Sequence, residues 1–298
     1  MTEFRSGFVC LVGRPNTGKS TLTNAMVGAK VAITSNRPQT TRHAIRGMVN
    51  RENAQIVLVD TPGLHRPRTL LGQRLGDVVR DAYSGVDVIG LCIPADEKIG
   101  PGDTWIVGQI RSVAPTTTLV VVVTKIDTVR KDHLATQLVA VSELAPDAEV
   151  VPVSAVTGEQ IDVLTAVLAA ALPPGPALYP DGELTDEPEE VLMAEFIREA
   201  ALEGVRDELP HSLAVVIDEV SPREGRDDLI DVHAVLYVER DSQKGIVIGR
   251  NGARLREVGT AARSQIEQLL GAKVYLDLRV KVAKNWQRDP KQLDRLGF

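Results

Sequence analysis

The chain has 298 residues, of which 43% are hydrophobic and 25% charged, with a net charge of −6. This is room for two domains with cores of their own. The ordinary composition excludes disordered, fibrous and disulfide-stapled classes, and no apolar run approaches the roughly 18 residues of a membrane span. Charge is uneven: Arg240–Phe298 carries 13 Lys/Arg against 6 Asp/Glu, or +7, leaving −13 elsewhere. That fits a basic end that meets a polyanion and, equally, a solvated basic surface.

The first strand-like run, Phe8-Val9-Cys10-Leu11-Val12, begins too early for a signal peptide, so a cytoplasmic protein is expected. It leads into Gly13-Arg14-Pro15-Asn16-Thr17-Gly18-Lys19-Ser20, which meets every fixed position of the G-x-x-x-x-G-K-[ST] phosphate-binding loop. Thr21–Val27 continues as a helix with Leu22 and Met26 one turn apart. In this strand–loop–helix setting the backbone N–H groups converge on phosphates, Lys19 reaches the β/γ oxygens and the Ser20 hydroxyl is left for Mg²⁺.

A loop is expected over residues 28–43, containing Pro38-Gln39-Thr40-Thr41-Arg42, then strands over 43–50 and 54–60 around the turn Arg51-Glu52-Asn53. The second strand ends on Asp60-Thr61-Pro62-Gly63, where a carboxylate can hold Mg²⁺ through water and the Gly63 N–H can meet a γ-phosphate. A loop over 64–71 and a helix over 72–84 follow. Next come a buried strand at 86–93, a helix near 103–113 and a strand at 119–123 ending on Thr124-Lys125-Ile126-Asp127. A helix carrying Leu134, Leu138 and Val141 leads to Val150–Val153, then Ser154-Ala155-Val156-Thr157-Gly158 and a helix over 161–172. Alternating strands and helices predict an α/β fold with a mostly parallel sheet, its chemistry at the carboxyl ends of the strands. Cys10 and Cys92 lie in apolar runs and are expected as buried thiols, without metal-site spacing.

Asp127 is suited to guanine, since it can accept from N1–H and the exocyclic amine together; adenine lacks the N1–H. Lys125 would pack its stem on the base, and the Ser154-Ala155 backbone would support O6.

Residues 173–190 mix five prolines with six acids, a pattern expected of a solvated linker. A helix over 191–205 and strands over 212–220 and 229–239 follow. Gly245-Ile246-Val247-Ile248-Gly249-Arg250-Asn251-Gly252 then precedes a helix over 253–270 and a last alternating strand from Lys273 to Val282. Residues 285–298 are set aside as a tail. Side-chain-free Gly249 and Gly252 would let a sugar–phosphate chain lie against the backbone, with Arg250, Arg254 and Arg256 neutralising phosphate. On its own the G-x-x-G turn fits a packing helix–turn–helix equally well.

The four motifs at residues 13–20, 60–63, 124–127 and 154–156 resemble those of a translation-factor-class GTPase. With Gln39-Thr40-Thr41-Arg42 and the α-β-β-α-α-β order of the second half, which resembles a type II KH domain, the whole chain resembles the Era family of ribosome-assembly GTPases. The resemblance implies a P-loop GTPase domain over 1–172 and a smaller α+β KH domain over 191–284. GTP/GDP would lie on residues 13–21, among them Thr21, on Asp60, Thr61, Pro62, Gly63 and Leu64, on Thr124–Asp127 including Ile126, and on Ser154, Ala155 and Val156. Mg²⁺ would be held by Ser20, Thr41 and Asp60, with K⁺ beside Asn16 as in some relatives. RNA would lie on Gly249, Arg250, Asn251, Gly252, Arg254 and Arg256.

Its implied partners are the 3′ end of 16S rRNA and the 30S subunit, not DNA. Peripheral attachment to the inner face of the cell membrane is reported for the family, although the acidic helix over 191–205 argues against an anionic bilayer. Two departures stand out. Thr124 replaces an Asn whose amide braces the loop, so weaker base contact is expected. Leu64 replaces a water-orienting Gln, so slow intrinsic hydrolysis is expected. A small-molecule phosphotransferase is disfavoured by the guanine-type motif at 124–127.

Overall fold

Apolar runs that can face water on neither side become adjacent strands of one sheet in the computed structural model, which describes residues 3–34, 41–64, 69–203 and 212–298. β1 (Arg5–Val12), β3 (Ala54–Asp60), β4 (Val88–Pro94), β5 (Thr118–Thr124) and β6 (Glu149–Pro152) run parallel, and β2 (Ile45–Arg51) pairs antiparallel with β3 at one edge. The order is β2-β3-β1-β4-β5-β6. Side chains alternate between faces. Val9, Leu11, Ile56, Leu58 and Val122 pack beneath α1 (Lys19–Val27) and α5 (Ile161–Ala171). Cys10, Val12, Leu91, Val121 and Val123 pack against α2 (Leu70–Ser84), α3 (Pro101–Val113) and α4 (Lys131–Leu144). Each fully buried Val, Leu or Ile contributes about 1.5–3 kcal/mol. Both thiols are free and buried.

The described residues form two units, one built on 3–34, 41–64 and 74–186 and the other on 69–73 and 187–298. Parts of three expected elements lie outside the described residues: 35–40, including Gln39 and Thr40; 65–68; and 204–205 at the end of the helix expected to reach Val205.

The proline-rich segment expected as a solvated linker is, over 173–186, a strap bonded to the first unit. Ser6 donates from N to Pro173 O (3.2 Å) and from Oγ to Pro176 O (2.6 Å). The Gln55 side chain, 2% exposed, accepts from Leu178 N (2.6 Å) and Tyr179 N (2.9 Å) and donates to Tyr179 O (3.0 Å). Met48 N donates to Leu184 O (3.0 Å), and Arg46 pairs with Asp186 (2.8 Å). Composition identified the segment's stiffness and polarity; the partners that hold it lie more than a hundred residues earlier in the chain.

In the second unit α6 (Glu189–Leu202) precedes a three-stranded sheet in the order β7-β8-β9. β7 (Ala214–Arg223) and β8 (Arg226–Val238) are antiparallel, while β9 (Lys273–Val282) is parallel to β8. Between them come α7 (Asp241–Ile248) and α8 (Ala253–Leu270), which buries Val258, Ala262 and Ile266 at helical spacing. The hairpin extends beyond the two expected strands to a turn at Glu224-Gly225, with Gly225 at φ 75°. Its charged arm is held by Arg223, which pairs with Asp231 (2.8 Å) and lies 4.4 Å from the centre of the Tyr275 ring.

Residues 285–298, set aside as a tail, fold onto this unit through a turn at Trp286–Arg288 and α9 (Pro290–Arg295). Trp286 is fully buried, donates Nε1–H to Ser212 O (3.0 Å) and stacks on Phe298 with ring centres 5.5 Å apart. Trp286→Ala should therefore weaken the second unit by about 3–5 kcal/mol. Hydrogen exchange would read this as lost protection of β7–β9 amides, with β1–β6 amides unchanged; unaltered β7–β9 protection would exclude the segment from the core.

Candidate functional site

The loops after β1, β3, β5 and β6 emerge at the carboxyl edge of the first sheet. Gly13–Gly18 curls at the N-terminus of α1, with Asn16 at φ 64° and Gly18 at φ 90°. A Cβ on Gly13 would come 2.6 Å from Cys92 O, so backbone closeness requires glycine there. Lys19 is 6% exposed and its Nζ donates to Arg14 O (3.0 Å) and Gly13 O (3.3 Å). Burial holds this ammonium below its ordinary pKa, against the attraction of Asp60. Thr21, one residue beyond Ser20, is half-buried on α1.

Three oxygen-bearing side chains meet beside Lys19. Ser20 Oγ donates to Asp60 Oδ2 (2.6 Å) and lies 2.8 Å from Thr41 Oγ1, which is itself 3.4 Å from Asp60 Oδ2. Asp60 is fully buried, and burial pushes its carboxyl up to about 6, against the lowering effects of the Ser20 hydroxyl and Lys19. Its Oδ1 has no hydrogen-bond partner among the described residues. Two hydroxyls and one incompletely satisfied carboxylate make a hard-oxygen set that fits a small divalent cation sharing its charge with phosphates. Thr61 Oγ1 donates to Leu11 O (2.7 Å), fixing the turn through Pro62, itself buried. A Cβ on Gly63 would come 2.7 Å from Pro15 Cα. Leu64 N donates to Gly13 O (3.0 Å), but the Leu64 side chain enters the core, as does that of Ile126; only their backbones face the site.

The loop stays braced at Thr124, the position where weaker base contact is expected. The Thr124 hydroxyl donates to Thr17 O (2.6 Å), so the shorter side chain still ties the β5 end to the phosphate loop. Lys125 adopts φ 58° and pairs loosely with Asp96 (3.7 Å). Asp127 is exposed, and its Oδ1 accepts from Ser154 Oγ (2.6 Å), which orients the carboxylate. Ile126 N donates to Val153 O (3.3 Å), stitching the β5 and β6 ends together. Ala155 is half-buried and Val156 is 79% exposed.

The side chain of Arg14 points away from this cluster, to Asp103 and Glu97. Neither that pairing nor the Ser154 side-chain bond has a signal in the sequence, because both join residues remote along the chain.

In the second unit Gly249 (φ 71°), Asn251 (φ 52°) and Gly252 (φ 74°) shape the turn between α7 and α8. Arg250 and Arg256 are exposed, and Ile246 beside the turn is 56% exposed. Arg254, expected at phosphate, is engaged within the unit. Its guanidinium donates to Ala200 O (3.2 Å) and Glu203 O and pairs with Glu257 (3.2 Å), so it satisfies carbonyls at the α6 C-terminus.

A family described as 50S ribosome-binding GTPase matches residues 8–125, and a KH domain family matches residues 208–287. The GTPase Era of Mycobacterium sp. (strain JLS) is 83% identical over 299 residues, covering 100% of both chains. The chain belongs to the Era GTPase family. Among solved structures, Era in complex with MgGDPNP and nucleotides 1506–1542 of 16S ribosomal RNA superposes with a TM-score of 0.95 at 36% identity over 99% of each chain. A single-residue variant of Aquifex aeolicus Era bound to GDP·AlF4⁻ gives 0.95 at 35% identity, also over 99% of each chain. The fold is thus the Era arrangement of a P-loop GTPase domain with a mostly parallel sheet followed by a KH domain, and the chain is a GTP hydrolase. No helix among the described residues is long and apolar enough to cross a membrane.

Thr124→Val keeps the shape at this position but leaves Thr17 O without its donor, which should cost the first unit about 1–3 kcal/mol. Hydrogen exchange in β1 and β5 measures the loss. The preference for GTP over ATP should persist in the same variant, since Asp127 and Ser154 are untouched; its collapse would make Thr124 the selecting group.

Proposed function

We propose that the chain is a GTP-controlled RNA-binding switch acting on the 3′ end of 16S rRNA during 30S subunit assembly. The observation that carries the proposal is the convergence of Lys19, Ser20, Thr41 and Asp60 at the phosphate loop, in a chain whose second unit presents a glycine-bounded turn with exposed cations. The backbone of Gly13–Thr21 would cradle the phosphates, and Lys19 would exchange its two loop carbonyls for β/γ oxygens. Ser20, Thr41 and Asp60 would hold Mg²⁺, which when bound neutralises charge on the β- and γ-phosphates. Asp127, oriented by Ser154, would accept from guanine, with Lys125 along the base and Ala155 and Val156 at its edge. Gly63, packed against Pro15, would offer its N–H to the γ-phosphate. Because Leu64 is committed to the core, no side chain at that position orients water, in keeping with a slow intrinsic rate. Asn16, at the outer turn of the loop, would be the K⁺-side residue.

Thr41 stands four residues before β2, and β2 carries the strap that ends at Asp186, just before α6. A change in Thr41 on loss of the γ-phosphate would therefore have a short bonded route towards the second unit. There Gly249, Arg250, Asn251, Gly252 and Arg256 would clamp single-stranded RNA. The solved Era complex with a 16S rRNA segment supports this choice of partner.

Asp127→Asn should shift preference from guanosine to xanthosine nucleotides by about hundredfold or more. Dissociation constants for GDP, XDP and ADP test it, and equal GDP and ADP affinities in the unaltered protein would remove the base-selection assignment. Both glycines have a φ that favours glycine, but Gly252 is the better RNA probe, because a Cβ there meets nothing within 4 Å, whereas one on Gly249 would also come 2.6 Å from Arg254 Cβ. Gly252→Asp should weaken binding of a 3′-tail oligonucleotide by about tenfold or more through charge repulsion, leaving GDP affinity intact. Unchanged RNA titration would remove the turn from the interface.

A further inference from the structure

Position 14 is one of the four variable places in the phosphate-binding motif, and a cation there invites the reading that it touches phosphate. The geometry contradicts this. Arg14 Nε donates to Asp103 Oδ1 (2.8 Å), and its terminal nitrogen pairs with Glu97 (2.9 Å). The aliphatic stem lies over Gly102, where a Cβ would come 3.0 Å from Arg14 Cδ. Asp103 is fully buried, and its second oxygen accepts from Gly100 N (2.9 Å), so one carboxylate both caps α3 and grips the loop.

The gripped residue also supplies the carbonyl that receives Lys19 Nζ (3.0 Å) and the Thr17 hydroxyl (3.1 Å). Freeing Arg14 to turn towards a phosphate would leave the Asp103 carboxylate buried without its cation, a costly state. We infer that Asp103 is a positioning residue for the nucleotide site: through Arg14 it fixes the first half of the phosphate loop, and the Arg14 cation serves as an anchor and not as a phosphate ligand. The inference rests on reading Gly13–Ser20 as the phosphate loop. It adds a second tether to the Thr124 bond, which holds the same loop at Thr17.

Release of a fluorescent GDP analogue, followed in Mg²⁺ by stopped flow, tests it with Arg14→Ala, Asp103→Asn, the double variant and Lys19→Ala. A side-chain amide in place of the carboxylate cannot accept from both Gly100 N and Arg14 Nε through its oxygen and lacks the charge. Each single variant should release nucleotide about tenfold faster, within the roughly 2- to 150-fold range of coupled contact pairs, and the double variant no faster than the quicker single. Arg14→Ala leaves the buried Asp103 carboxylate without its cation and should itself melt earlier, so release is measured at a temperature where each variant's melting curve shows it fully folded, and faster release there is not a folding defect. If either single variant melts too early to be measured, the other decides alone. Unchanged or slower release, or effects that multiply in the double variant, would overturn the inference. Lys19→Ala separates the two levels: normal nucleotide affinity in that variant would overturn the loop reading itself. Loss of affinity there, with normal release from the Arg14 and Asp103 variants, would overturn only the anchor.

Discussion

A carboxylate taken wholly out of water is tolerated only where something compensates its charge, and Asp60 is such a group. One oxygen accepts from Ser20 and is approached by Thr41; the other has no partner among the described residues. Lys19 supplies the nearby positive charge, yet its own ammonium rests on loop carbonyls. Much of the first unit's local architecture answers to this arrangement. The phosphate loop brings Ser20 and Lys19 to the end of β1, the turn after β3 brings Asp60, and the chain entering β2 brings Thr41. A cation inserted among these oxygens would relieve the incomplete pairing, so the arrangement is already biased towards the occupied one.

Around that centre the loop is held at its variable positions. Its glycines and Lys19 are the proposed ligand-facing groups, while the groups that hold the loop still lie at Thr17 and Arg14, tied to Thr124 and Asp103. The bond to Thr17 explains how Thr124 can replace a longer amide side chain without releasing the loop.

What could be read from the sequence was what is local. The phosphate loop, the Asp60 turn, the 124–127 motif and the glycine-bounded turn are each fixed by residues within eight positions, and the strand and helix periods placed them. The helix over 253–270 and the strand over 273–282 could be read to the residue. The contacts of Arg254, the second residue of its helix, could not be read, because such a cation looks solvent-directed until Ala200 and Glu203, some fifty residues earlier, are brought beside it. Trp286 sat in a polar-looking tail whose burial depends on Ser212, and Ser154 seemed to offer only its backbone until folding set it against Asp127. Each miss is a contact between segments distant in the chain, for which one sequence carries no periodic signal.

β2 is an edge strand, the usual point at which one sheet can recruit another. The strap covers part of that edge: Leu184 takes the Met48 N–H, and the Thr185 hydroxyl donates to Arg46 O. A fragment ended at Leu172, where composition places the domain boundary, would keep every proposed nucleotide-site residue but expose this edge and strip Gln55 of three bonds. It would be a poor surrogate for the intact unit, prone to self-association through β2. The natural place to divide the chain is after Asp186, where the last strap residue releases it.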